Sequence, residues 1–156
     1  MKNILLVICS FFAIISFSLA KNDLPKTDDP MSQKRADKQL KLQNKEIVKL
    51  VVDEVSKKLP QKVDNYTQYV SIKAEGLTLI STYEINIAPK SDEAVINEDK
   101  SRMETFIIEG ICQSSKRFLQ SDINVTYVYT NSSSKKELFR FGVTAKDCIK
   151  IWEGTN

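Results

Sequence analysis

An α+β fold is what this sequence predicts: two layers, an antiparallel sheet of about four strands with two helices packed on one face, in the order α-β-β-α-β-β, and one disulfide. Three observations lead there. Two stretches carry apolar residues at helical spacing, two paired stretches alternate apolar and polar residues as strands do, and two cysteines remain once the leading segment is set aside. Two hairpins cannot leave their apolar faces in water, so covering one face of a single sheet with helices is the economical solution.

The elements follow in order. Residues 1–20, "MKNILLVICSFFAIISFSLA", place one early charge, Lys2, before an apolar run from Ile4 to Phe17 and end in Ser18-Leu19-Ala20. Small residues at the two positions read by a signal peptidase make this a secretory signal cleaved after Ala20. The run is shorter than the ~20 residues needed to cross a bilayer. Cys9 follows the bulky Ile8, which is wrong for a lipid attachment site, so Cys9 leaves with the signal. Residues 21–30 are polar, hold Pro25 and Pro30, and read as a flexible leader. Residues 31–152 then form a single domain, a length that suits one core.

Asp29 as cap and Pro30 at the first helical position start a helix. Leu40, Ile47, Val48, Val51, Val52, Val55 and Leu59 follow helical spacing, and Pro60 stops it. "YTQYVSIK" (66–73) sets Val70 and Ile72 on one face. Glu75-Gly76 turns the chain, and "LTLISTYEINI" (77–87) alternates Leu77, Leu79, Tyr83, Ile85 and Ile87 against polar residues. A second helix spans roughly 92–118, with Met103, Phe106, Ile107, Ile111 and Phe118 on its apolar face and Gly110 within it, leaving room for a close neighbour. "INVTYVYT" (123–130) and "ELFRFGVT" (137–144), joined by "NSSSKK", form the second hairpin, with Ile123, Val125, Tyr127 and Tyr129 on one face and Phe139, Phe141 and Val143 sharing a face of the last strand.

Cys112 and Cys148 form an even pair in an exported chain, which reads as a structural disulfide between the second helix and the end of the last strand. Their spacing is far wider than the C-x-x-C of redox proteins.

The chemistry that is missing narrows the function. The chain has no histidine, which removes Ser-His-Asp and Cys-His catalysis and the common histidine-containing zinc sites. With four glycines there is no phosphate-binding loop and no dinucleotide fingerprint, so no cofactor and no metal is expected. Glu104 and Glu109 are five apart and do not share a helix face, while Ser56-Lys57 and Ser115-Lys116 are adjacent pairs that point apart. No catalytic residue is assigned, and the chain is not expected to be an enzyme. Removing Lys2 lowers the net charge of +3 by one, a near balance that gives no general pull toward nucleic acid. Lys34, Arg35, Lys38, Lys41, Lys45 and Lys49 populate the first helix as a solvated face, or as a surface for an acidic partner. Asn65, Asn124 and Asn131 each begin an N-x-Ser/Thr triplet, of consequence only in a glycosylating host. Tyr127, Tyr129, Phe139 and Phe141 are read as core, with a binding face as the alternative.

The block "CQSSKRFLQSDINVTYVYTNSSSKKELFRFGVTAKDC" resembles small exported bacterial proteins of unassigned role, in which a cysteine-bearing helix precedes a V-x-Y-x-Y strand, a polar turn, a second strand and a final cysteine. The resemblance covers about the last third of the chain and implies the disulfide and the α+β layout, but no active site. The expected role is that of a periplasmic or secreted non-enzymatic binding or accessory protein. It would have an envelope protein as partner, possible association with a secretion system, and no stable membrane anchor after signal removal. The alternatives are an inhibitor or immunity protein of a toxic envelope hydrolase, with "NSSSKK" as its plug, and a small-ligand or lipid carrier.

Overall fold

The computed structural model describes residues 30–154, so the predicted signal peptide and the leader as far as Asp29 lie outside the described residues. By internal contacts the chain divides between Asp37 and Lys38. The described part of the first unit is the helical stretch from Pro30 to Asp37. The second unit holds the rest of that helix and every other element.

Helix α1 (Pro30–Ser56) starts on the proline the sequence points to. Its inward stripe differs in one respect from the expected apolar set. Leu40 is exposed, and the buried positions are Val48 and the polar Asn44. Asn44 is accommodated because its Nδ2 donates to the Ser121 carbonyl at 2.6 Å, which satisfies a buried amide that would otherwise cost a few kcal/mol. Val48 packs with Leu79 and Ile123, flanked by Ile47, Val51, Val52, Ile72 and Phe118.

The sheet has five strands in sequential order: β1 (Gln61–Lys62), β2 (Thr67–Glu75), β3 (Thr78–Ile85), β4 (Asn124–Asn131) and β5 (Glu137–Val143). The two expected hairpins are β2–β3, turning at Gly76 with φ +63°, and β4–β5. The expectation of an all-antiparallel sheet is corrected at its centre. β3 and β4 pair in parallel, Thr78 opposite Asn124 through Ile85 opposite Asn131. The reason is the connection. Helix α2 (Asp92–Ser114) and the short α3 (Lys116–Gln120) carry the chain back along the sheet, so β4 begins at the end where β3 began. The fifth strand, β1, is a two-residue addition beside β2.

Two further differences concern helices. The long second helix stops at Ser114, and Ser115 separates it from α3. A fourth helix, α4 (Ala145–Glu153), follows β5 directly, so Cys148 lies on a helix and not on a free strand end. Asp147 caps the start of this helix: the Thr144 N–H donates to the Asp147 carboxylate at 2.8 Å and the Thr144 hydroxyl donates to it at 2.7 Å.

Register places Leu79, Ser81, Tyr83 and Ile85 of β3 on the same face as Val125, Tyr127 and Tyr129 of β4 and as Phe139, Phe141 and Val143 of β5. The helices contribute to the core clusters on this face. Ile111, Cys112 and Cys148 gather with Leu119, Val125 and Val143, while Val95 gathers with Tyr129, Leu138, Phe139 and Phe141.

Candidate partner-binding surface

The second hairpin is clamped. Cys112 and Cys148 are both fully buried and bonded, with Cα atoms 5.4 Å apart, tying α2 to α4. The Trp152 indole N–H donates to the Cys112 carbonyl at 2.8 Å, and the Lys116 ammonium sits 5.5 Å from the centre of the Trp152 ring. The bond serves the fold, as its sequence spacing implied.

From this clamped end an aromatic ladder crosses four strands. Phe139 stacks on Phe141 at 5.9 Å, Phe141 meets Tyr129 edge-on at 6.2 Å, Tyr129 stacks on Tyr83 at 5.2 Å, and Tyr83 stacks on Tyr69 at 4.8 Å, with Tyr127 5.1 Å from Tyr83. Burial falls along it: Phe139, Phe141 and Tyr129 are 2%, 3% and 7% exposed, whereas Tyr127, Tyr83 and Tyr69 are only half-buried. Such rings are wide and stiff and carry a polar tip, which makes half-buried tyrosines efficient contact residues for another protein.

A bulge brings Tyr69 into the ladder. Tyr69 pairs with Tyr83 and Ser71 with Thr82, so Val70 is the extra residue, and Ile72 returns to the helix-covered face opposite Ser81. Strict alternation had put Val70 with Ile72; the bulge instead sets Tyr69 and Ile72 on one face. The Tyr69 and Ser81 hydroxyls share a hydrogen bond of 2.9 Å.

Electrostatics fix what these phenols can do. Burial first, then the neighbouring Tyr127, pushes the Tyr83 hydroxyl far above the ordinary phenol range, and the same two causes raise Tyr129. Burial also raises Tyr69, opposed by its bond to Ser81. All three stay neutral at physiological pH. In that state they can donate and accept hydrogen bonds.

Beside Tyr69 the sheet edge is open. β1 pairs only with Tyr69 and Gln68, and among the described residues no strand pairs on the outer side of residues 71–75. An edge of this kind can receive an extended segment by main-chain pairing.

The other sequence candidates are dispersed. Glu104 and Glu109 are both exposed on α2 and hold no common site, Ser56 ends α1, and Ser115 is the joint between α2 and α3. Gly110 has open space where a side chain would be, with nothing approaching it, and Phe106, expected in the apolar face, is 70% exposed. Helix α2 buries Val95, Ile111 and Cys112; Phe106 falls within about 20° of Val95 around the helix axis, so its exposure is not a matter of which side of α2 it is on. "NSSSKK" is tied down: Asn131 Nδ2 and Ser134 Oγ donate to Asp92 at 2.6 and 3.1 Å, Lys135 bonds Glu84 at 2.7 Å and Lys136 bonds Glu93 at 2.8 Å. A recess of about 270 Å³ near the start of β2 is lined by Lys62, Asp64, Gln68, Glu84 and other polar residues, unlike the apolar cavity a lipid carrier needs. Among the described residues no cluster of acidic or cysteine side chains is arranged to hold a metal ion. No described helix is long and apolar enough to cross a membrane.

No protein-family model matches the chain, and no curated protein matches it in sequence. Solved structures share its fold. A Pseudomonas aeruginosa protein assigned as secreted superposes with a TM-score of 0.61 at 14% identity, over 70% of this chain and 96% of that one. EpsS, the pilotin of the type 2 secretion system of Vibrio vulnificus, gives 0.52 at 15% identity over 71% of this chain and 93% of its own. AspS, the type II secretion pilotin of Vibrio cholerae, gives 0.53 at 13% identity over 72% and 99%.

Proposed function

We propose that this chain is an exported, non-catalytic accessory protein of an envelope secretion assembly, working by protein contact in the periplasm. The single observation that carries the reading is the sharing of its fold, over nearly their whole length, by two type 2 secretion pilotins. The chemistry of the sheet supports it. The half-buried Tyr69, Tyr83 and Tyr127 form a neutral, amphipathic contact surface beside the open edge of β2, and the residues with catalytic types lie apart. An envelope protein segment in extended form would pair with residues 71–75 and lay its side chains over Tyr69 and Tyr83.

The test is a photo-crosslinking amino acid at position 69, activated in cells and read by mass spectrometry. One dominant secretion-assembly partner, lost when the same probe stands at Lys146, is the expected result. Crosslinks spread evenly over unrelated proteins, or the same partner from both positions, would overturn the surface. A partner outside any secretion assembly would overturn the role.

A further inference from the structure

Away from the tyrosine surface, the exposed flank of α1 has a charge distribution unlike the rest of the molecule. Between residues 38 and 49 stand Lys38, Lys41, Lys45 and Lys49 against the single Glu46; four positive charges less one negative gives +3, equal to the net charge of the whole chain. The remainder is therefore balanced, and stands at −1 once Lys2 leaves with the signal (+2 less +3). At about 100° per residue the four lysines fall within roughly 80° of arc, on the flank of α1 next to the stripe that holds Asn44 and Val48. All four are exposed. Glu46 lies outside that arc, whereas Leu42, 52% exposed, borders it.

These four lysines share one flank without a carboxylate partner, unlike five lysines elsewhere in the chain. Lys57, Lys73, Lys90, Lys135 and Lys136 each hold a carboxylate at 2.6–2.8 Å. Among the described residues, Lys38, Lys41, Lys45 and Lys49 hold none. A row of unpaired ammonium groups with no arginine among them is a poor protein hot spot, since lysine is depleted and arginine enriched at such interfaces. It suits a diffuse, laterally mobile anionic surface, where flexible point charges need no fixed geometry and an adjacent leucine can enter the headgroup layer.

We propose that this flank of α1 docks the protein reversibly on an anionic phospholipid surface, with Lys38, Lys41, Lys45 and Lys49 facing the headgroups and Leu42 inserted beside them. The proposal is independent of the partner surface on β2 and β3: it would hold if no protein bound there.

The exported, disulfide-bonded chain is mixed with vesicles of phosphatidylcholine alone and of phosphatidylcholine with phosphatidylglycerol, and sedimented. Binding to the second kind only, weakened as salt is raised, is expected. Replacing the four lysines by glutamine (Lys38→Gln, Lys41→Gln, Lys45→Gln, Lys49→Gln) should weaken it roughly a hundredfold or more. Removing the same charge elsewhere (Lys73→Gln, Lys90→Gln, Lys100→Gln, Lys146→Gln) should change it by about threefold at most, since charge far from the surface is screened. Circular dichroism of both variants should be unchanged, because every altered side chain is exposed. Equal binding to both vesicle types, equal loss in both variants, or no vesicle binding together with capture of an acidic protein through these lysines would each overturn the proposal.

Discussion

The two hairpins of the sheet are built from similar strands and are held very differently. In β4–β5 the helix-covered face is sealed except at the half-buried Tyr127: Val125, Phe139, Phe141 and Val143 are nearly inaccessible, α2 lies over β5, and the Cys112–Cys148 bond ties α2 to α4. In β2–β3 the same face carries the half-buried Tyr69 and Tyr83, the outer edge is met by only two residues of β1, and the buried contact to α1 rests on Val48, Leu79 and Ile123. One hairpin is a platform. The other has aromatic area that the fold leaves partly uncovered and that binding can still bury. Stability and contact are thus divided between hairpins joined by the parallel β3–β4 pair.

The strongest way to break this division is to cut the staple. Replacing Cys112 and Cys148 by serine removes a covalent link between residues 36 positions apart, which the chain-entropy account values at about 4 kcal/mol. Urea unfolding should shift accordingly, and amide exchange should rise first in α4 and β5. A rise in β2 ahead of α4 and β5 on removal of the bond would contradict the platform.

Truncating one ring at each end of the ladder sharpens the contrast. Phe139→Ala in the sealed end should cost about 3 kcal/mol or slightly more. Tyr83→Ala should cost less in urea unfolding, because its ring is only half-buried, yet weaken partner capture at least tenfold, as expected of a contact tyrosine. Equal stability losses with no change in capture would show the ladder to be core throughout.

Alkaline titration probes the same rings without mutation. The Tyr83 and Tyr129 hydroxyls are raised in the folded chain, so the unfolded chain ionises first. Their contribution to stability is complete below about pH 10 and is lost as pH rises through the folded values. The urea midpoint should fall steadily above about pH 10, while the absorbance of ionised tyrosine lags until unfolding. Tyr83→Phe should flatten that fall; an unchanged slope would remove Tyr83 from the account.

How far the sequence reveals this arrangement depends on what local spacing can encode. Alternation locates β3, β4 and β5, because Tyr83, Tyr129 and Phe139 each sit two places from an apolar neighbour on a face that must be buried. It is silent on the direction of the β3–β4 pairing, which follows from the path of α2 and α3. It also misassigns Tyr69, since the bulge at Val70 moves the residues before it to the other face, and no turn residue marks the place. Phe106 and Leu40 follow the helical spacing yet are exposed, because periodicity marks a side of a helix and does not say which of its turns another element covers. The cysteine pair is legible from count and compartment alone. The tyrosine surface is not, because it needs the three-dimensional fact that burial fades along the ladder.

The smallest effect belongs to α4, whose start was legible in Thr144 and Asp147 but easily passed over beside a cysteine. The Asp147 carboxylate lies below the usual range because it accepts from the Thr144 hydroxyl and then from the Thr144 N–H. A carboxylate depressed in the fold adds stability above its unfolded value near pH 4, and that stability is lost as pH falls through the folded value. Asp147→Asn should therefore cost about 1 kcal/mol at neutral pH, typical of a helix cap, and almost nothing at about pH 2. Because α4 is already stapled through Cys148, the same substitution should cost more once Cys112 and Cys148 are replaced by serine. A strictly additive double variant would mean that cap and staple hold α4 independently, and that the platform is less cooperative than its packing implies.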